Sequence, residues 1–389
     1  MNTIGSTASR TLHRIASALF LACVASCGAR VNLGDSSQPP APDPDASPDP
    51  AAPPTTLYQF NQNLFACYDI AVDDSYVYLS TGEPGGLSVH RCRKTDCAGT
   101  MKRVVGPLCN GCGYEKIVVA GNFLGLMNNA SSGPVSVGHI DACTRPDCGD
   151  VRQVVGGLPT IGDVAFDDNR FYWHLSPDGS FYQCSFPTCS EGPRVFATGV
   201  PALRSFAANA DWIYWVNPGV AVSRKRKDGS APVEDLILGP VLGRVPHGGA
   251  GVPPEGLTVG TLAVDGSWIY GLSSRAPDAD AGTGCEPSRS PCFVVRWPDA
   301  IGGAAEVILH EDTGINFRGL GALRVFQGEV VYSSDQAHTC DADACSATRR
   351  AIGQADPDRM ASDRDYLYWC SRTMPGMYDT LQRVARVRR

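Results

Sequence analysis

An all-β, seven-bladed β-propeller is the fold this 389-residue sequence predicts, and three observations predict it. First, one phrase recurs seven times after Leu57: a short aliphatic run, an Asp- or Gly-containing turn, then an aromatic-rich strand. Centred on residues 78, 125, 172, 214, 270, 332 and 368, the copies lie 47, 47, 42, 56, 62 and 36 residues apart. In β-type sequence a period of this size belongs to propellers built blade by blade. Second, cysteine pairs spaced C-x4-C recur in four of the copies. Third, the last copy runs out early, while a strand without a blade, Leu57-Tyr58-Gln59-Phe60, stands ahead of the first.

Residues 1–27 read as an export signal. Arg10 and Arg14 precede an apolar stretch, Ile15 to Val24, that is too short to span a bilayer. The stretch closes with Val24-Ala25-Ser26-Cys27, which resembles a bacterial lipobox. That resemblance implies cleavage before Cys27, acylation of its thiol, and attachment to a membrane through the lipid. Gly28 follows where an inner-membrane retention signal would place Asp, so the expected address is the outer membrane of the cell envelope, facing periplasm or surface. Residues 28–56 are rich in Pro, Ala and Asp. Proline fixes φ and deletes N–H donors, so this segment is expected to be an extended tether. The propeller is expected to fill residues 57–389, about 48 residues per blade.

Each copy divides into four strands. Strand A is aliphatic (Ile70-Ala71-Val72), and a turn such as Asp73-Asp74 leads to strand B with the aromatics (Tyr76-Val77-Tyr78). Strand C alternates polar and apolar residues, and strand D is short, as in Arg194-Val195-Phe196-Ala197. Facing sheets should bury the aromatics between blades. After Tyr366 to Cys370 the final copy holds only enough chain for strand C, Leu381 to Val387. The strand at 57–60 is therefore predicted to supply strand D of the last blade and close the ring, which removes an exposed sheet edge.

Sixteen cysteines suit an exported protein rather than a reducing cytosol. With Cys23 and Cys27 set aside, local pairs suggest themselves: Cys92/Cys97, Cys143/Cys148, Cys184/Cys189, Cys340/Cys345 and, more widely spaced, Cys285/Cys292. In the first, the pair falls between strands C and D and would staple their turn. Four thiolates could also hold zinc. Turns pointing outward on separate blades would lie too far apart for that, which favours disulfides. Cys109 and Cys112 are expected to form a structural bridge, because β-type residues rather than a helix follow them. Cys67 and Cys370, in the first and last copies, can meet only if the ring closes.

Two stretches break the period. Gly239 to Gly260 holds His247 and Glu255, and Ser273 to Cys292 holds Asp278 and Asp280. D-to-A links and B–C loops share one face of a propeller, so these four are the candidate ligand-loop residues. Asp278-Ala279-Asp280-Ala281-Gly282 starts like a calcium loop but lacks the third acidic ligand and the closing Glu. No metal or other cofactor is expected. No G-x-S-x-G, H-E-x-x-H or P-loop occurs, and no catalytic residue is singled out. His90 and His139 fall on strand C and are expected at the surface, while turn chemistry accounts for the repeated Asp of the A–B turns. A net charge of −7 gives no basic surface for nucleic acid.

Trp212-Ile213-Tyr214-Trp215-Val216-Asn217, then Val222-Ser223-Arg224-Lys225, then Lys227-Asp228-Gly229-Ser230, resembles the repeat of YWTD-type extracellular propellers. The other copies depart from it, several placing C-x4-C where the Asp-Gly-Ser turn belongs. The expected function is a lipid-anchored binding or scaffold module for a protein or glycan partner. The alternatives are a glycan or ester hydrolase or lyase with its site on the loop-rich face, and an envelope-assembly component resembling TolB-like propellers.

Overall fold

The computed structural model describes residues 54–385 except 62–65, 108–112, 131–136, 160, 167–168, 176–178, 201–205, 218–219, 238–256, 276–291, 302, 304–305, 312–322, 334–336, 354–359 and 372–379. Its strands, in chain order, make seven four-stranded antiparallel sheets. The N-terminal strand is β1 (Thr55–Gln59). Blade one is β2 (Ala66–Val72), β3 (Tyr76–Glu83), β4 (Gly86–Arg93) and β5 (Lys102–Val105). Blade two is β6 (Tyr114–Ala120), β7 (Phe123–Ala130), β8 (Val137–Thr144) and β9 (Arg152–Leu158). Blade three is β10 (Ile161–Phe166), β11 (Arg170–Leu175), β12 (Ser180–Ser185) and β13 (Arg194–Ala197). Blade four is β14 (Phe206–Ala208), β15 (Trp212–Asn217), β16 (Val220–Arg226) and β17 (Glu234–Ile237). Blade five is β18 (Leu257–Asp265), β19 (Trp268–Arg275), β20 (Cys292–Pro298) and β21 (Glu306–Glu311). Blade six is β22 (Leu323–Phe326), β23 (Glu329–Ser333), β24 (Ala337–Asp341) and β25 (Arg350–Gly353). Blade seven is β26 (Met360–Ser362), β27 (Tyr366–Ser371) and β28 (Thr380–Ala385), completed on its outer edge by β1.

The first strands of the blades form the inner ring: β2 lies against β6 and β26, and β14 and β22 flank β18. Closure comes from β1, whose Thr55 and Gln59 pair with Arg383 and Thr380 of β28. This strand starts two residues ahead of the boundary expected at 57. Beside it, Cys67 of β2 is bonded to Cys370 of β27 across a sequence separation of 303. Phe60, Ile70, Leu79, Tyr368 and Leu381 pack around that bond in one buried cluster spanning the first and last blades.

The aromatics are buried between blades as expected, with Trp173, Trp215, Trp369, Tyr78, Tyr172 and Tyr214 among the largest fully buried side chains. Register explains how the sheets make room. Opposite the strand-B tyrosine stands alanine in five blades: Ala71/Tyr78, Ala165/Tyr172, Ala207/Tyr214, Ala263/Tyr270 and Ala361/Tyr368. In blade two glycine takes the tyrosine's place, because the Phe166 ring of blade three fills the space; a Cβ on Gly125 would lie 2.4 Å from it. Blade six corrects the sequence reading. There Arg324 pairs with Val331, so Val331, not Tyr332, is the equivalent position. Tyr332 instead packs toward blade five. The A–B turn has the same length as in blade five, so the shift lies in the sequence of strand B itself, which carries its tyrosine one residue later; one residue in a strand changes its face.

The C-x4-C pairs are disulfides within the C–D connections: Cys92–Cys97, Cys143–Cys148, Cys184–Cys189 and Cys340–Cys345. Cys97 and Cys345 open single helical turns, α1 (Cys97–Thr100) and α2 (Cys345–Thr348). These turns are not as isolated as an outward-pointing hairpin would be. Asp147, inside the second staple, reaches Arg91 beside the first at 2.5 Å. Cys27, Cys109, Cys112 and Cys285 lie outside the described residues, and Cys292 is described only as the first residue of β20.

Candidate axial binding face

Antiparallel blades put A–B and C–D turns on one face of the ring and B–C and D–A connections on the other. On the turn face the titratable side chains are matched to one another in a repeating unit. An aromatic at the start of strand B, a tyrosine two residues on and an arginine across on strand C occur together in four blades: Tyr76/Tyr78/Arg91, Trp212/Tyr214/Arg224, Trp268/Tyr270/Arg296 and Tyr366/Tyr368/Arg383. Each guanidinium lies over the aromatic, at 4.3, 3.9, 4.5 and 4.6 Å from the ring centre. It then reaches the next blade: Arg91 to Asp147, Arg224 to Asp299, Arg296 to Asp343 at 2.6 Å and Arg383 to the Lys94 carbonyl at 2.9 Å.

The turn aspartates do more than shape turns. Asp73 accepts the N–H of Ser75 and Tyr76 on one oxygen, and the Tyr78 hydroxyl (2.8 Å) with Arg145 of blade two on the other. Asp363 repeats the pattern with Asp365, Tyr366, Tyr368 and Lys94 of blade one. Burial opposes ionisation of both, but these donors outweigh it and hold both carboxyls below the usual range. The run Arg224-Lys225-Arg226-Lys227 is largely absorbed in the same way. Lys225 donates to the Phe196 carbonyl at 2.6 Å, Arg226 lies over Trp212 and Lys227 over Tyr172.

The opposite face differs. In blades one, two, three and five the innermost strand carries a β-bulge at the equivalent register: Tyr68, Glu115, Gly162 and Gly260 are the extra residues. A bulge re-aims a side chain out of the strand's alternation. Tyr68 is accordingly 40% exposed although Cys67 and Ile70 on either side are buried, and Glu115 is exposed as well. Next to Tyr68, the half-buried Asp69 accepts the backbone N–H of Ile117 in blade two at 2.7 Å. Desolvation pushes its carboxyl up from 3.8 to about 6, against that N–H, Lys116, the Ile70 N–H and Arg324 of blade six. Glu115 accepts from Asn129 at 3.3 Å, whose amide also bonds the Ile161 carbonyl of blade three at 2.9 Å.

Behind this rim two polar clusters sit at the ends of strands B. Blade one holds Thr81, Glu83, Ser88 and His90, with Thr81 Oγ1 2.8 Å from His90 Nδ1 and Arg103 2.9 Å from Glu83. His90 is therefore not the surface residue expected: it is buried at 5% exposure, and burial lowers its pKa. Ser88 and Thr81 are sealed, at 0% exposure, so this Ser–His–Glu grouping is not open to a substrate. In blade two the Tyr114 hydroxyl donates to Asp141 at 2.8 Å, and His139 lies 3.4 Å from the same carboxylate. His139 is partly shielded rather than on an open surface. Asn128, cross-strand from both Tyr114 and His139, is fully buried, and neither amide atom has a hydrogen-bond partner among the described residues.

His247, Glu255, Asp278 and Asp280 lie outside the described residues. The residues sequence reasoning missed are Tyr68, Asp69, Glu115 and the strand-C arginines. A signal for the arginines was available: four of the five copies with a tyrosine at this place carry Arg on the following strand, and blade three has Gln183 there. Nothing in sequence announces a bulge. Among the described residues no group of three or more His, Cys, Asp or Glu is placed to hold a metal ion.

No family model and no curated protein matches the chain. Solved structures with the same architecture do. The chain is similar to the propeller domain of the trilobed protease from Pyrococcus furiosus, at 10% identity over 82% of this chain and 95% of that one, TM-score 0.56. It is also similar to YCF48 bound to D1 peptide (10% identity, 88% and 99% covered, TM-score 0.54). A chain of the S. cerevisiae dbp5 complex with nup159, gle1, ip6 and adp is likewise similar (8% identity, 86% and 95% covered, TM-score 0.52). These likenesses establish a seven-bladed propeller as the class of protein. The first neighbour is described by an open velcro topology, whereas here β1 closes the last blade.

Proposed function

We propose that this chain is an exported, lipid-tethered binding module that presents the B–C/D–A face of its propeller to a protein partner. The observation that carries it is the repeated bulge, which turns Tyr68 and Glu115 out of the blade packing at the axial rim. On the other face, by contrast, the ionisable groups of the repeating unit are matched to one another. Two propellers of similar shape are known bound to a peptide or within a protein complex, which supports a protein partner over a glycan. Attachment through Cys27 and an outer-membrane address rest on the lipobox resemblance. Kinship of blade four with YWTD-type repeats is supported by Asp228, which accepts the Ser230 N–H at 2.8 Å in the Asp-Gly-Ser turn.

A photo-crosslinking residue in place of Tyr68 should yield a partner adduct in native envelopes, and one in place of Asp228 on the opposite face should not. Adducts from Asp228 alone would overturn the reading. Cys27→Ser should move the protein from the membrane to the soluble fraction; unchanged partitioning would remove the lipid anchor.

A further inference from the structure

We propose that three of the four C-x4-C disulfides are redox-sensitive locks between blades: each holds its C–D connection as the receiver for the strand-C arginine of the blade before it. The inference stands apart from the binding-module reading. Inside the Cys143–Cys148 loop, Asp147 takes Arg91 and Lys102 of blade one, both at 2.5 Å. Inside the Cys340–Cys345 loop, Asp343 takes Arg296 of blade five at 2.6 Å. Inside the Cys92–Cys97 loop, the Lys94 carbonyl takes Arg383 of blade seven at 2.9 Å, and the Lys94 ammonium reaches back to Asp363 of the same blade.

Two other C–D connections show that loop and arginine go together. The Cys184–Cys189 loop lies at the joint with blade two, where Ala142 stands in the arginine's place. That loop holds no carboxylate; its Phe186 packs on Phe123 of blade two instead, ring centres 5.8 Å apart. Blade four has the arginine, but its receiver, Asp299 of blade five, sits in a connection without a C-x4-C pair. Backbone bonds do the holding there, with the Asp299 N–H donated to the Ser267 carbonyl at 2.8 Å.

The disulfide sets the receiver's shape. Cys148, next to Asp147, has a φ of 51°, a left-handed conformation that residues with a Cβ adopt at a cost, and the bond to Cys143 holds it there. A dithiol reductant supplies two electrons and two protons: the S–S bond becomes two thiols, and the reductant closes to a disulfide. All six cysteines of the three locks are buried, so this exchange follows local opening of the turn. The freed loop relaxes and carries Asp147 away from Arg91, which loosens the joint without unpairing the hairpin.

The test is hydrogen exchange of the full-length chain in detergent, read at the Ile117 N–H, which crosses from blade two to Asp69 of blade one at 2.7 Å. Cys143→Ser with Cys148→Ser should speed exchange there about threefold, the scale of one partly exposed ion pair. Asp147→Ala should do the same with the disulfide intact, and combining it with the serine pair should add nothing. Cys184→Ser with Cys189→Ser should leave Ile117 unchanged. Effects that multiply in the combined variant, or an equal effect from the Cys184–Cys189 pair, overturn the proposal. If the serine variant does not fold, dithiothreitol takes its place: reduction should speed Ile117 more in the wild-type chain than in Asp147→Ala. Equal acceleration in the two chains overturns the proposal as well.

Discussion

The two faces of the ring are made by the same strands and solve opposite problems. On the turn face one unit is reused: in four blades tyrosine, aromatic and arginine recur at fixed register, and each of those arginines reaches across to the next blade. On the B–C/D–A face the bulge recurs at one register in four blades, but the residue it holds differs each time: Tyr68, Glu115, Gly162 and Gly260. Polar groups on this face differ from blade to blade, and one of them, Asn128, is buried with no hydrogen-bond partner among the described residues. The difference teaches where selection for stability and selection for binding can be separated in a propeller. Blade-to-blade cohesion needs the same contacts at every interface, so it favours identity. Recognition needs a particular side chain at a particular azimuth, so it tolerates and requires difference.

The contrast can be broken most forcefully at the seam. Replacing both Cys67 and Cys370 by Ser releases a cross-link spanning 303 residues. The chain-entropy model gives about 6 kcal/mol for a loop of this size, against about 2 kcal/mol for one C-x4-C staple such as Cys184–Cys189. Urea unfolding of the two double variants should therefore rank them clearly. Equal losses would mean that β1 alone, not the disulfide, holds the ring shut.

Next in size is the turn face. Arg224, buried at 9% exposure, joins Glu234 at 2.8 Å and Asp299 of blade five while lying over Trp212. Arg224→Met strands two carboxylates and should cost about 3 kcal/mol, as for other broken buried pairs. A loss under about 0.5 kcal/mol in the same unfolding assay would show the repeating unit to be ornamental to stability.

The faces should also respond to pH in opposite senses. At the rim, folding raises the Asp69 pKa from 3.8 to about 6. The folded state thus holds a proton that the unfolded state has released, and stability falls as pH rises through this window, by at most about 3 kcal/mol. Asp69→Asn keeps an acceptor for Ile117 and should flatten stability between pH 4 and pH 7. On the turn face Asp73 and Asp363 have lowered pKa values. Their contribution is present above their ordinary carboxyl pKa and is lost as pH falls through the lowered one. Denaturant midpoints collected across pH 3–8 separate the two limbs.

The smallest expected effect carries the sharpest sign. Asn128→Leu removes a buried amide that has no hydrogen-bond partner among the described residues and keeps the number and branching of its heavy atoms, so stability should rise by about 1 kcal/mol. A fall of that size would mean the amide is hydrogen-bonded in solution, through a bound water or ligand between blades one and two.

Much of the architecture was legible because period and polarity are local properties of sequence. The aromatic copies gave the blade count, and the leftover strand at 57–60 gave the closure. The isolated positions of Cys67 and Cys370 in the first and last copies announced the seam. The phase of blade six is not legible in sequence, because Tyr332 offers an aromatic at nearly the right spacing and only the strand register shows that Val331 occupies the place. His90 was misjudged for a related reason. Alternation on strand C identifies a face, but in a propeller both faces of a blade are covered by neighbouring blades, so polar residues there are buried as readily as apolar ones.

By itself the sequence determined what repeats: strand order, turn positions, the cysteine staples and the complementary ends, since each is fixed by chain-local patterning. Tertiary structure alone decided which arginine meets which carboxylate, and which innermost strands bulge. Those outcomes depend on the stagger between neighbouring blades, and that stagger is set by packing between sheets rather than by residues adjacent in the chain.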